Sequence, residues 1–199
     1  MKRLQSSLLL SALLAGCARM GNAPPPPTVR SVAVLPPRDQ TGESLAVAGT
    51  SLLERYAVRT ERVTVADVLG IALREQLERR GIALAATDAL PAAADARTPT
   101  TAAAAAEIAH RAHIDDPALF VTIDRWEPDN PTHPAFVIVA LDATLIDPAT
   151  GTVLWHLHRS ARPIATPGTV TSGTAHEIAA RQAAAELLTS WPETTAAPR

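Results

Sequence analysis

The sequence predicts an α/β chain of the α+β sandwich kind, with three helices packed on a mixed sheet of about five strands. Three observations predict it. Apolar runs and helical repeats follow the order strand, helix, strand, helix, three strands, helix, which suits helices layered on a mixed sheet. Two long apolar arms, 136–146 and 152–162, flank a Pro/Gly turn as a hairpin does. Aromatic residues make up 3% of the chain while alanine abounds, so the core is aliphatic and its helices sit close together.

The elements follow in order. Residues 29–35 (VRSVAVL) form a short apolar run ended by Pro36-Pro37, as in a buried first strand. Arg38 to Gly42 reads as a polar turn. Residues 45–62, which contain Tyr56, fit a helical turn or an extended segment, with extended slightly preferred. A helix spans 65–80. Thr64 and Asp67 match a capping box, and Val65, Val68, Leu69, Ala72, Leu73 and Leu77 share one face. Arg79 and Arg80 suit the helix dipole and Gly81 the C′ position. A short strand at 82–86 comes next.

Thr98-Pro99 opens a second helix, which runs to about His113 before Asp115-Asp116-Pro117. Residues 119–125 (LFVTIDR) form a strand with Trp126 at its end. The hairpin arms 136–146 and 152–162 turn at 147–151, where Gly151 suits positive φ. In the second arm Val153, Trp155 and Leu157 point one way, His156 and His158 the other. Thr174 and Glu177 match another capping box, and the last helix reaches about Ser190, with Ile178, Leu187, Leu188 and Trp191 as core contacts.

The amino end carries a different message. Met1-Lys2-Arg3, the apolar run 8–14 and small residues lead to Cys17, the single cysteine. A charged start and a short apolar stretch make a secretory signal too short to span a bilayer. Leu14-Ala15-Gly16-Cys17 resembles the lipobox of bacterial lipoproteins. In that family the thiol takes a diacylglyceryl group, the leader is cut before it and the new amino group is acylated. Such multiple chains anchor stably where one holds only marginally. Residue 18 is Ala, not the Asp of inner-membrane retention, so the resemblance implies the periplasmic side of the outer membrane. The expected organisation is a leader at 1–16, a lipidated Cys17 with a Pro-rich tether to 28, one domain at 29–192 and a frayed tail at 193–199. Pro24 to Pro27 stiffen the tether to a reach on the order of 30 Å, at about 3.1 Å per residue.

Charge excludes several functions. Losing residues 1–16 removes Lys2 and Arg3 and no acid, moving the formal charge from −2 to −4. A nucleic-acid binder would normally carry a basic stripe. Cys17 is committed to lipid, which leaves no disulfide, cysteine nucleophile or cysteine zinc site. Lys2 is the only lysine, so lysine chemistry is absent. Neither a G-x-S-x-G elbow nor a phosphate-binding glycine loop occurs, and Ser172-Gly173 reads as loop. No cofactor is expected and the chain is not expected to be an enzyme. His156 and His158, with Asp142 or Asp124 on neighbouring strands, are weak candidates for a metal, because polar residues belong on a solvent face anyway. His110 and His113 read as helix-end residues favoured by the dipole. Trp126 is a platform or contact candidate, and Trp155 and Trp191 read as core.

Ser31 to Pro37 with Asp39-Gln40-Thr41, the Leu119 to Glu127 strand, and Asp147, Thr150, Gly151, Leu154 and Trp155 together resemble the TolB-N-terminal-like fold of several outer-membrane lipoproteins. The resemblance is to a proteobacterial lipoprotein family of unknown function, with the curli secretion protein CsgG and the activator LpoB as wider relatives. It covers roughly 29–191 and implies a fold and a compartment, with no catalytic residues to carry over. CsgG-like channels need membrane-crossing hairpins, and 45–62 is too short and too charged for one. The expected function is that of a non-enzymatic accessory or assembly factor for envelope secretion, transport or wall-building machinery. It would act through an envelope protein partner, with Arg38, Asp39, Tyr56, Trp126 and Glu127 as contact candidates. A peptidoglycan- or metal-binding module, and a homo-oligomeric ring component, are the alternatives.

Overall fold

The computed structural model describes residues 29–41, 63–90, 98–168 and 170–192. The leader with Cys17, the tether, the stretch 45–62 with Tyr56, and the tail all lie outside them. Strand β1 (Ser31–Val34) leads to β2 (Arg38–Asp39), then helix α1 (Val65–Arg79) and β3 (Ala83–Leu84). Helix α2 (Ala102–Arg111) precedes the long strands β4 (Ala118–Pro128), β5 (Phe136–Ile146) and β6 (Val153–Ala165). Helix α3 (Ser172–Leu187) runs into a 3₁₀ turn at Leu188–Ser190. The expected α+β architecture is thus present, as one mixed sheet in the order β3-β1-β4-β5-β6 with β2 also beside β4.

β1 and β2 are two halves of one interrupted strand. Ala33 and Val34 lie opposite Ala118 and Leu119, in parallel, while Arg38 and Asp39 lie opposite Thr122 and Ile123. The register slips by one residue between the two halves, at Pro36 and Pro37. Neither proline has an N–H to give the ladder, so the extra residue is accommodated there as a bulge. The polar turn expected at Arg38 is therefore strand, because pairing resumes as soon as the prolines are passed. Pro37 then braces α1: a Cβ on Gly70 would stand 3.2 Å from its Cδ.

Two crossovers set the layers. The path β1–α1–β3 steps outward, and β3–α2–β4 returns past β1, with all three strands parallel. Right-handed connections in opposite directions place their helices on opposite faces. Burial follows this division. Val32, Val34, Leu119, Val121 and Ile123 join α1 and α3 in one core, whereas Ala33, Leu35, Ala118 and Phe120 join α2 in another. α3 meets the larger core through Ala179, Ala180, Ala183 and Ala184, all fully buried. Ile178, expected there, is only partly buried.

Helix ends depend on which hydroxyl reaches an orphan N–H. At α1 the Thr64–Asp67 box forms as expected: Asp67 N–H donates to Thr64 Oγ1 at 3.2 Å and Thr64 N–H to Asp67 Oδ2 at 2.8 Å. α2 starts later than Thr98-Pro99 suggests, because Thr101 Oγ1 accepts from Ala104 N–H. It ends at Arg111, close to the expected end near His113: His113 takes φ 56° and Ile114 N–H donates back to the Ala109 carbonyl. His110 and His113 therefore do not share a helix face. Thr171, not Thr174, caps α3, which makes Ser172-Gly173 the helix's first turn and buries Glu177 inside it.

The antiparallel β4–β5–β6 meander closes the sheet, with α3 across its inner face. Arg159 on β6 is 3% exposed and is held from that helix: its Nε donates to Glu186 Oε2 at 2.9 Å, and its Nη1 donates to the Val139 carbonyl. Arg162 reaches the same carboxylate at 3.3 Å. Burial pushes Glu186 upward, but hydrogen bonds from Gln182 and Arg159 and the charges of Arg159 and Arg162 outweigh it, leaving its pKa lowered. Removing one partner of a buried pair strands the other charge. Glu186→Ala should therefore cost about 3 kcal/mol in urea unfolding, and Arg159→Met with Glu186→Leu should recover most of the loss.

Candidate functional site

Three places on the molecule bring candidate residues together with their neighbours. The first is the outer face of the β5–β6 hairpin. The Asp147–Gly151 turn, closed by Gly151 N–H to Asp147 O at 2.8 Å, sets a register in which His156 faces Thr144 and His158 faces Asp142. His156 Nε2 lies 3.0 and 2.9 Å from the two Asp142 oxygens, and His158 Nδ1 lies 3.6 Å from Oδ2. Asp124 is not part of this group; it accepts from its own strand's Thr122 Oγ1 at 3.1 Å. Both imidazoles are more than half exposed. Asp142 is engaged with His156 directly, and among the described residues no three His, Cys, Asp or Glu side chains form a group that holds a metal ion. Val153 departs from the expected alternation and is 52% exposed, because the register shifts where Leu145 pairs Trp155 and Ile146 pairs Val153.

The second place is one that sequence reasoning missed. Trp126 is no surface platform or contact residue: it is 2% exposed, at the end of β4. Its Nε1–H donates to His176 Nδ1 at 2.8 Å, and Ser172 Oγ lies 3.2 Å from His176 Nε2. A serine beside a buried histidine invites comparison with a nucleophile and its base. The tautomer rules this out. An indole nitrogen can only donate, so His176 Nδ1 is a bare acceptor and the proton sits on Nε2. That proton points at Ser172 Oγ, which accepts, whereas a base would need its lone pair there. Burial pushes the His176 pKa below its ordinary value of 6.5, which keeps the ring neutral. Trp155 and Trp191 are structural as expected, with ring centroids 5.4 Å apart and Trp155 Nε1–H donating to Ser190 O at 2.9 Å.

The third place is the loop between β4 and β5 with the strand end before it. Arg125 and Glu127 pair at 2.6 Å on the exposed side of β4. Asn130 Oδ1 accepts from the backbone of Thr132 and His133, and Asp129 Oδ1 from the backbone of Ala135 and Phe136. Residues 129–133 are exposed, and Phe136 beside them is 36% exposed. This loop is therefore presented to solvent in one built conformation. Arg38 and Asp39, by contrast, are half-buried in β2, and Asp39 Oδ1 is occupied by Thr41. A shallow groove lined by Glu75, Glu78, Arg79 and Arg181 spends charge internally, with Arg79 and Arg181 both on Glu75.

Comparison with known proteins adds likeness of outline. No family model matches the chain, and no curated protein does. Among solved structures it is similar to a PelC dodecamer from Paraburkholderia phytofirmans, at 15% identity and TM-score 0.45, over 82% of this chain and 90% of that one. It is similar to lipoprotein GNA1162 from Neisseria meningitidis at 16% identity and TM-score 0.40, over 77% and 94%. The LpoB C-terminal domain from Salmonella enterica gives 12% identity and TM-score 0.39, over 70% and 84%. Each of these likenesses lies below a TM-score of 0.5, so none carries an activity over to this chain.

Because the His156–Asp142 pair is exposed, it adds little to stability. His156→Ala with His158→Ala should shift unfolding free energy by less than about 1 kcal/mol, and calorimetry of the same variant against wild type should show no difference in zinc uptake. A tight zinc isotherm lost in the variant would show a metal site.

Proposed function

We propose that this chain is a non-enzymatic accessory factor of the bacterial envelope, carried on a lipidated Cys17 at the outer membrane and acting through protein contacts. The observation that supports this best is how the polar side chains are used. The Ser172–His176 pair has the wrong tautomer for base catalysis, Asp142 is engaged by His156, and Glu186 is spent on Arg159 and Arg162. Among the described residues, the loop at 129–133 faces solvent in a fixed shape.

A preformed loop binds without the cost of being ordered first. Confinement to a membrane raises effective concentration, so a modest surface affinity suffices. The Asn130 and Asp129 brackets leave Pro131, Thr132 and the His133 ring outermost, with Phe136 and the Arg125–Glu127 pair alongside. That mix of one apolar contact with a polar rim suits a transient protein partner.

A photo-crosslinking residue at Thr132, incorporated in the native host, should capture a defined envelope protein. The same probe at Ser160, on the edge strand, should capture much less. Equal labelling at both positions, or none at Thr132, would contradict this assignment.

A further inference from the structure

We propose that the Trp126–His176 hydrogen bond is an acid-released latch that holds the first turn of α3, and with it the 129–135 loop, against the end of β4. The geometry is specific. His176 is 3% exposed and Trp126 2%, and the bond between them joins residues fifty positions apart at 2.8 Å. The bond needs a bare Nδ1. Protonation puts a second N–H there, facing the indole N–H, so donor meets donor and the contact must open.

Among the described residues, the charged groups around the ring are engaged with other partners. In α3, Glu177 is buried next in sequence and has Arg181 at 3.9 Å. From β4, Arg125 and Glu127 are exposed and pair with each other. In the loop, Asp129 accepts from backbone N–H groups and His133 bonds to Val170 O. From β6, Arg159 and Arg162 face Glu186, and from α1, Glu75 holds Arg79 and Arg181. Among the described residues, His176 bonds to Trp126 and Ser172. Burial alone lowers its pKa.

The latch reaches the loop through the chain leading into α3. His133 Nδ1 lies 3.0 Å from the Val170 carbonyl, and Thr166 Oγ1 donates to Pro134 O at 2.6 Å. Thr171 caps the helix immediately after. Opening at His176 therefore frees Ser172 and the cap, and the loop loses its support at Val170. The sign follows from the lowered pKa. The unfolded or opened ring protonates at about 6.5, the latched ring only at lower pH. The closed state is fully favoured above 6.5 and is progressively lost as pH falls towards the latched value. The latch does not depend on the proposed function; only its consequence for docking does.

Two-dimensional NMR of the full mature chain tests this between pH 7.5 and 5. The Trp126 indole N–H resonance should move with the same midpoint as the His176 ring, below 6.5, while the Trp155 indole on Ser190 O stays fixed. Amide exchange at 129–135 and 171–176, corrected for intrinsic rates, should rise at least tenfold across that midpoint. In His176→Gln, whose amide oxygen accepts from Trp126 without titrating, both responses should vanish. If that variant fails to fold, the wild-type midpoints decide. A Trp126 indole that does not move, a His176 midpoint at or above 6.5, an unchanged loop, or simultaneous loss of all amide protection would each overturn the latch. The readout is the loop itself, so a failed latch and a failed docking assignment remain distinguishable.

Discussion

β4 is the strand on which the rest of the molecule depends. It pairs in parallel with β1 and β2 on one side and antiparallel with β5 on the other, so it joins the crossover half of the sheet to the meander. Its odd-numbered residues from Leu119 to Ile123 lie in the α1–α3 core, while Ala118 and Phe120 lie under α2. A strand buried on both faces reads as a continuous apolar run, and residues 118–123 are buried without interruption. The register shift between Ile123 and Arg125 ends that regime. Beyond it, Trp126 turns inward to His176, while Arg125 and Glu127 turn outward beside the loop. One irregularity thus links the core to the presented surface.

The larger core is made of small pieces. Four alanines on α3 allow that helix to lie close on the sheet, and Gly70 allows α1 to lie against Pro37. Close approach replaces aromatic bulk with dispersion contacts spread over many small side chains. The two aromatic clusters then sit at the ends of α3, Trp126 with His176 at its start and Trp155 with Trp191 at its finish. The helix is thus held by an aromatic contact at each end.

What was legible in the sequence follows from how local the cause is. α1 is readable almost to the residue because its capping box, apolar face and Gly81 all lie within or immediately beside the helix. The β5–β6 hairpin was readable because the Asp147–Gly151 turn dictates register, which brings His156 and His158 to Asp142. α2 and α3 were misplaced at their starts. Thr98-Pro99 and Thr174/Glu177 both match start patterns, but Thr101 and Thr171 supply the hydroxyls that reach the free N–H groups. Alanine-rich helices compound this, since an alanine face carries no periodic contrast with its surroundings. β2 was missed because a two-residue strand is defined by its partner, eighty-four positions away. The Trp126–His176 bond left no trace at all, and only the tertiary fold turns an apparent surface tryptophan into a buried donor.

We propose a body whose described polar groups are largely engaged with one another, joined to an amino end that resembles a lipobox. The most direct measurement is the mass of the amino-terminal peptide from the native host's membrane fraction. The account predicts a chain beginning at Cys17 with acyl groups on its sulfur and nitrogen. An unmodified thiol on a chain recovered from the soluble cytoplasmic fraction would contradict it.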